Sequence, residues 1–109
     1  MDYMGKHKNV NDSKQVRHVK NKFFQGRSHL DGDLEFAQSL INTLSGTGEL
    51  KFDRHGNWVN KEIVTANKTI GTYINPDTGE ETQSNKAVIV YSKTGAHIYP
   101  VRPSKEKEN

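Results

Sequence analysis

The sequence has no cysteine, which removes a disulfide framework, a thiolate metal site and a cysteine nucleophile together. It is also poor in apolar residues, at 31% of 109 with a mean hydropathy of −0.91. A chain of this size and composition builds one domain around one thin core. No apolar run approaches the ~20 residues of a membrane-spanning helix. The N-terminal stretch Met1-Asp2-Tyr3-Met4-Gly5-Lys6 lacks the apolar centre of a secretion signal, so an export address would lie elsewhere on a larger parent chain. There is no P-loop, no glycine-rich dinucleotide motif and no G-x-S-x-G elbow. Five histidines (His7, His18, His29, His55 and His97) follow no zinc spacing. Neither a metal nor an organic cofactor is expected.

Charge is present in quantity. Charged residues make up 27% of the chain, with a net charge of +3 and a pI near 9.2. That balance suits a polyanion such as RNA, although many inert proteins share it.

The last apolar stretch, Val88 to Pro103, is the centre of the chain. Val88, Val90 and Ser92 alternate with Ile89, Tyr91 and Lys93, the period of a strand with two unlike faces. Lys93-Thr94-Gly95 makes a turn that places Gly95 at positive φ, and Ala96-His97-Ile98-Tyr99 resumes the alternation. Pro100 and Pro103 end the strand or confine it to a sheet edge.

Upstream, Ala37, Leu40, Ile41 and Leu44, widened by Leu34, form a helical stripe from about Asp33 to Ser45. Asp31 or Asp33 caps its start and Gly46 its end. Val16, Val19 and Phe23 predict a short helix over Ser13–Gly26 as well, with Ser13 as N-cap. After Gly48 the pattern changes to strands. Leu50-Lys51-Phe52 and Trp58-Val59 flank a glycine-bearing loop, Lys61–Thr65 continues, and Asn75-Pro76-Asp77-Thr78-Gly79 turns between Thr69–Ile74 and Glu80–Ser84. The class is therefore α+β, with one or two N-terminal helices packed on an antiparallel sheet of four to six strands. Residues 1–12 read as a flexible basic arm, 13–103 as the folded domain and 104–109 as a charged tail.

With metal ligands and cysteine set aside, acid–base chemistry remains. RNA cleavage without a metal needs a base for the 2′-hydroxyl, an acid for the leaving 5′-oxygen, and cations or hydroxyls near the phosphorane. His18, Glu62, Thr82, Tyr91, Ser92, Lys93 and His97 supply those groups. His97 sits inside a strand and must turn its ring to one face; the plainer alternative is a solvated edge histidine. Glu62 is mid-strand, where a cross-strand ion pair is the competing role. Ser92 and Lys93 equally suit an ordinary turn, and His18 an ordinary basic surface.

Tyr91-Ser92-Lys93, Gly95, His97 and Pro103 resemble the closing signature of the polymorphic toxin type 50 domain. Lys14-Gln15 with His18, Gly46-Thr47-Gly48, Trp58 with Glu62, Ile70-Gly71 and Thr82 resemble it in the same order. Ala96 departs from the family, where a hydroxyl residue more often precedes the histidine. The resemblance implies a ribonuclease fold of the barnase–EndoU–colicin–RelE type, metal-independent, carried as the warhead of a larger secreted bacterial or phage protein. It implies functional roles for Lys14, His18, Glu62, Thr82, Ser92, Lys93 and His97.

The expectation is an endoribonuclease toxin acting in the bacterial cytoplasm, with an immunity protein as partner. His97 and Glu62 form the acid–base pair, with His18 the alternative partner. Thr82, Ser92 and Lys93 steady the phosphate, and Lys14, Tyr91, Lys86 and Arg102 bind substrate. Its rivals are a non-catalytic phage or structural module that binds nucleic acid or a protein, and a metal nuclease built on Asp53, His55 and a distant carboxylate.

Overall fold

The computed structural model describes residues 8–15, 18 and 28–103. In chain order these form α1 (Asp12–Gln15), β1 (His29–Leu30), α2 (Leu34–Leu44), β2 (Glu49–Phe52), β3 (Trp58–Thr65), β4 (Gly71–Ile74), β5 (Glu81–Ser84), β6 (Lys86–Ser92) and β7 (Gly95–Pro100). The fold is α+β, as expected. Its strands divide between two antiparallel sheets rather than one meander, in the orders β1-β4-β5 and β2-β3-β6-β7. The two-residue strand β1 carries no periodic signal and was not foreseen. Apart from α1 and His18, the expected Ser13–Gly26 helix lies outside the described residues, as does the tail 104–109.

Local chemistry sets most boundaries. Asp33 accepts the Phe36 N–H at 3.1 Å and caps α2, while Gly46 just past its end has φ +89°, a conformation costly for a residue with a Cβ. Ala37, Leu40 and Ile41 are the buried face of α2. They join Leu30, Val64, Ile70, Ala87, Ile89, Tyr91, Ala96 and Ile98 in one core. Each fully buried leucine or isoleucine there contributes about 1.5–3 kcal/mol. Ser84 ties the sheets together by donating to the Val101 carbonyl at 2.6 Å.

The turn between β6 and β7 forms as expected, with Gly95 at φ +120°. Strand β7 is a sheet edge and ends at Pro100. Residues 9–12, assigned above to a flexible arm, instead cover that edge. Val10 pairs in parallel with Ala96, whose N–H donates to the Asn9 carbonyl and whose carbonyl accepts the Asn11 N–H, both at 2.8 Å. An unpaired edge is a row of unsatisfied donors and acceptors, and this segment satisfies the pair at Ala96. Asn11, not Ser13, caps α1, accepting the Lys14 N–H at 3.1 Å.

Candidate active site

Register decides which side chains of the four-stranded sheet can meet. Glu62 pairs with Ile89 and Ile89 with Ile98; Lys61 pairs with Val90 and Val90 with His97. Directly paired residues share a face and neighbours along a strand alternate. Glu62, Ile89, Ile98 and Tyr91 therefore project toward α2. Lys61, Val90 and His97 project from the far face, with Lys86, Val88 and Tyr99.

On the α2 side Glu62 is fully buried. Its carboxylate accepts from Gly46 N–H at 2.9 and 3.1 Å, from Gly48 N–H at 2.7 Å and from the Tyr91 hydroxyl at 2.7 Å. The Tyr91 proton being spent on Glu62, the Ser45 hydroxyl donates to the Tyr91 oxygen at 2.8 Å. Burial first, and then the bond to Glu62, push the Tyr91 hydroxyl well above its ordinary value, while Ser45 opposes them. A Cβ at Gly48 would run into the Ile63 carbonyl, so the Gly46-Thr47-Gly48 loop closes directly on β3. Glu62 pins that loop.

The expected Glu62–His97 pair does not form. The two side chains lie on opposite faces of the sheet, and among the described residues the Glu62 carboxylate bonds Gly46, Gly48 and Tyr91 on the core side. Tyr91, expected to bind substrate, is likewise in the core, its ring 5.7 Å from that of Trp58.

The far face holds a different group. The rings of His18 and His97 are parallel to within 5°, with centroids 6.1 Å apart. Tyr99 packs against both, at 5.1 Å from His18 and 5.9 Å from His97, and its burial pushes the hydroxyl pKa upward. His18 Nδ1 lies 2.8 Å from the Ser28 carbonyl oxygen. A carbonyl only accepts, so Nδ1 carries the hydrogen and Nε2 holds the lone pair of the neutral ring. Lys61 shares a row with His97, and Lys86 lies beside Val88, the partner of Tyr99.

The other expected residues are spread more widely. Lys14 is on α1, whose Gln15 clasps β7. Ser92 closes the β6–β7 turn by donating to the Gly95 carbonyl at 2.9 Å, and Lys93 is exposed at its tip. Thr82 is exposed in the three-stranded sheet, opposite Tyr73, and Arg102 is exposed after β7. Asp53 spends its Oδ1 on the His55 and Asn57 N–H groups at 2.8 and 2.9 Å. Among the described residues no three histidines, aspartates or glutamates gather as a metal site. A cavity of about 500 Å³ between α2 and the β3–β4 loop, lined by Phe36, Leu40, Leu44 and Ile70, contains none of the expected site residues.

Sequence reasoning noted Tyr99 beside the hairpin turn but gave it no role, and it gave none to Lys61. Tyr99 stood two residues from His97 at strand spacing and was a legible signal. Lys61 required the register.

The sequence profile of the family described as Bacterial toxin 50 matches residues 10–100, a span that takes in the edge segment at Val10, His18 and the whole of β7. The chain belongs to the Bacterial toxin 50 family. It is a toxin domain of bacterial type. A search of curated proteins found no match. Among the described residues no helix is long and apolar enough to cross a membrane.

Proposed function

We propose that this toxin domain is a metal-independent endoribonuclease in which His18 and His97 are the acid–base pair. The stacked imidazoles, with Tyr99 against both on a face that also bears Lys61 and Lys86, carry this reading. Imidazole titrates near neutrality and serves either role. The Ser28 carbonyl leaves Nε2 of neutral His18 as the basic nitrogen, which suits it to take the 2′-hydroxyl proton. The 2′-oxygen then attacks phosphorus, the P–O5′ bond breaks, and the leaving 5′-oxygen takes a proton from the His97 imidazolium. The products are a 2′,3′-cyclic phosphate and a 5′-hydroxyl end. Lys61 and Lys86, with Lys14 and Arg102 further out, supply positive charge toward the phosphates.

A bacterium that makes such a toxin needs a neutralising partner, so an immunity protein accompanies it in this reading. The domain would be the warhead of a larger secreted or virion-associated protein and would act in the target cell's cytoplasm.

The test is incubation of the purified domain with RNA in EDTA. Cleavage that leaves cyclic phosphate ends, and that is lost in both His18→Ala and His97→Ala, supports the proposal. Tight binding without product would make the domain a nucleic-acid-binding module, and cleavage abolished by EDTA would return the case to a metal nuclease.

A further inference from the structure

Strand β7 presents the backbone groups of Ala96 and Ile98 to its open side. Ala96 is served by the Asn9–Asn11 backbone. Ile98 is served by a side chain: Gln15 Nε2 donates to the Ile98 carbonyl at 2.8 Å, and the Ile98 N–H donates to Gln15 Oε1 at 2.7 Å. The primary amide reproduces the donor–acceptor pair of a neighbouring strand, and Gln15 is fully buried in doing so. Both ends of this clamp adjoin the imidazole cluster. Ile98 is flanked by His97 and Tyr99, and His18 follows Gln15 by three residues.

We propose that Gln15 is the positioning residue of this site, holding the segment that carries His18 in register with the strand that carries His97 and Tyr99. The inference rests on the ribonuclease reading for its kinetic consequence only. Gln15 touches no substrate and acts through the stacking of His18. A donor and an acceptor are both required, because a lone acceptor would face the Ile98 carbonyl with like polarity.

Two variants test it. Gln15→Met keeps the length and loses both bonds. It should lower kcat by on the order of 10–100-fold with little change in KM, as expected when a catalytic group is displaced and substrate affinity is untouched. Gln15→Glu has only acceptors when ionised and regains a donor when protonated. Its rate relative to wild type should therefore climb as pH falls, while the Gln15→Met ratio stays flat. The titratable groups nearby are Asp12 and Lys14 on α1, His97 and Tyr99 on β7, and His18; Gln38 of α2, which accepts the Val10 N–H, is neutral. All are common to variant and wild type, so the ratio isolates position 15.

A second readout needs no activity. Imidazole proton and nitrogen NMR of the wild type should show His18 as the Nδ1–H tautomer with ring-current shifts from its neighbours, and Gln15→Met should abolish those shifts. Unaltered kcat and unaltered ring shifts in both variants would overturn the proposal. If Gln15→Met does not fold, the pH course of Gln15→Glu decides. If the wild type cleaves no RNA, the ribonuclease reading fails, and the ring shifts still judge Gln15.

Discussion

The two faces of the β2-β3-β6-β7 sheet carry comparable numbers of reactive groups and use them in opposite ways. Toward α2, buried Glu62 and Tyr91 and half-buried Ser45 form a hydrogen-bonded chain that commits the carboxylate and the phenol to partners. On the far face, His18, His97 and Tyr99 meet ring to ring, half-buried, beside lysines. A carboxylate that accepts four hydrogen bonds in the core stabilises a loop and is poorly placed to exchange protons with a substrate. Imidazoles stacked at a face can do so. An ionisable residue in the middle of a strand is thus no guide to chemistry until its face is known.

The largest effect expected follows from that contrast. His97→Ala should lower RNA cleavage by on the order of 10²–10⁴-fold with the melting temperature nearly unchanged, and His18→Ala should do the same. A folded, fully active His97→Ala protein would dissolve the distinction between the faces.

Glu62→Gln is the reciprocal experiment. With its oxygen kept on the Gly46 and Gly48 N–H groups, its amide would direct a donor at the Tyr91 hydroxyl, which now donates to Oε1. The change should destabilise the fold by about 2–4 kcal/mol, read by urea denaturation, while the protein that remains folded keeps its specific activity. Loss of activity at unchanged stability would instead restore Glu62 to the chemistry.

Tyr91→Phe removes one link of the same chain and should cost about 1–2 kcal/mol at neutral pH. It should also change the alkaline limb of stability. The folded-state pKa of Tyr91 is raised, by burial first and Glu62 next. The stability this confers is complete below the ordinary value of 10.0 and declines as pH rises through the folded value. The gap between wild type and Tyr91→Phe should therefore begin to narrow above the ordinary value of 10.0, which melting curves at rising pH would record.

Asp53 gives the smallest effect. The Asn57 N–H, ahead of the other loop contacts, lowers its pKa below 3.8. Its contribution is present above that value and is lost as pH falls through the depressed one. Asp53→Ala should melt slightly below wild type at pH 7, with the difference closing in acid.

Much of the fold could be read locally. The stripe from Ala37 to Leu44, the Asp33 cap, Gly46 at φ +89° and the Lys93-Thr94-Gly95 turn all rest on contacts within a few residues, where composition dictates geometry. What escaped was long-range. Strand β1 is two residues long and exists because it pairs with β4. The segment at Asn9–Asn11 reads as a loose polar arm because its partner, Ala96, is far away in the chain.

The same holds for the site. The sequence by itself determined that a histidine would sit in the last strand and a glutamate in an earlier one, since alternation and turn residues place each in its own strand. Only the tertiary structure decided that they never meet. Strand pairing has a period of two, and the match of Glu62 to Ile89 and of Ile89 to Ile98 leaves His97 one residue out of step. A shift of a single residue would have put carboxylate and imidazole on one face. The packing of core side chains against α2 fixes that register, and it instead brings His97 to His18 across nearly eighty residues of chain.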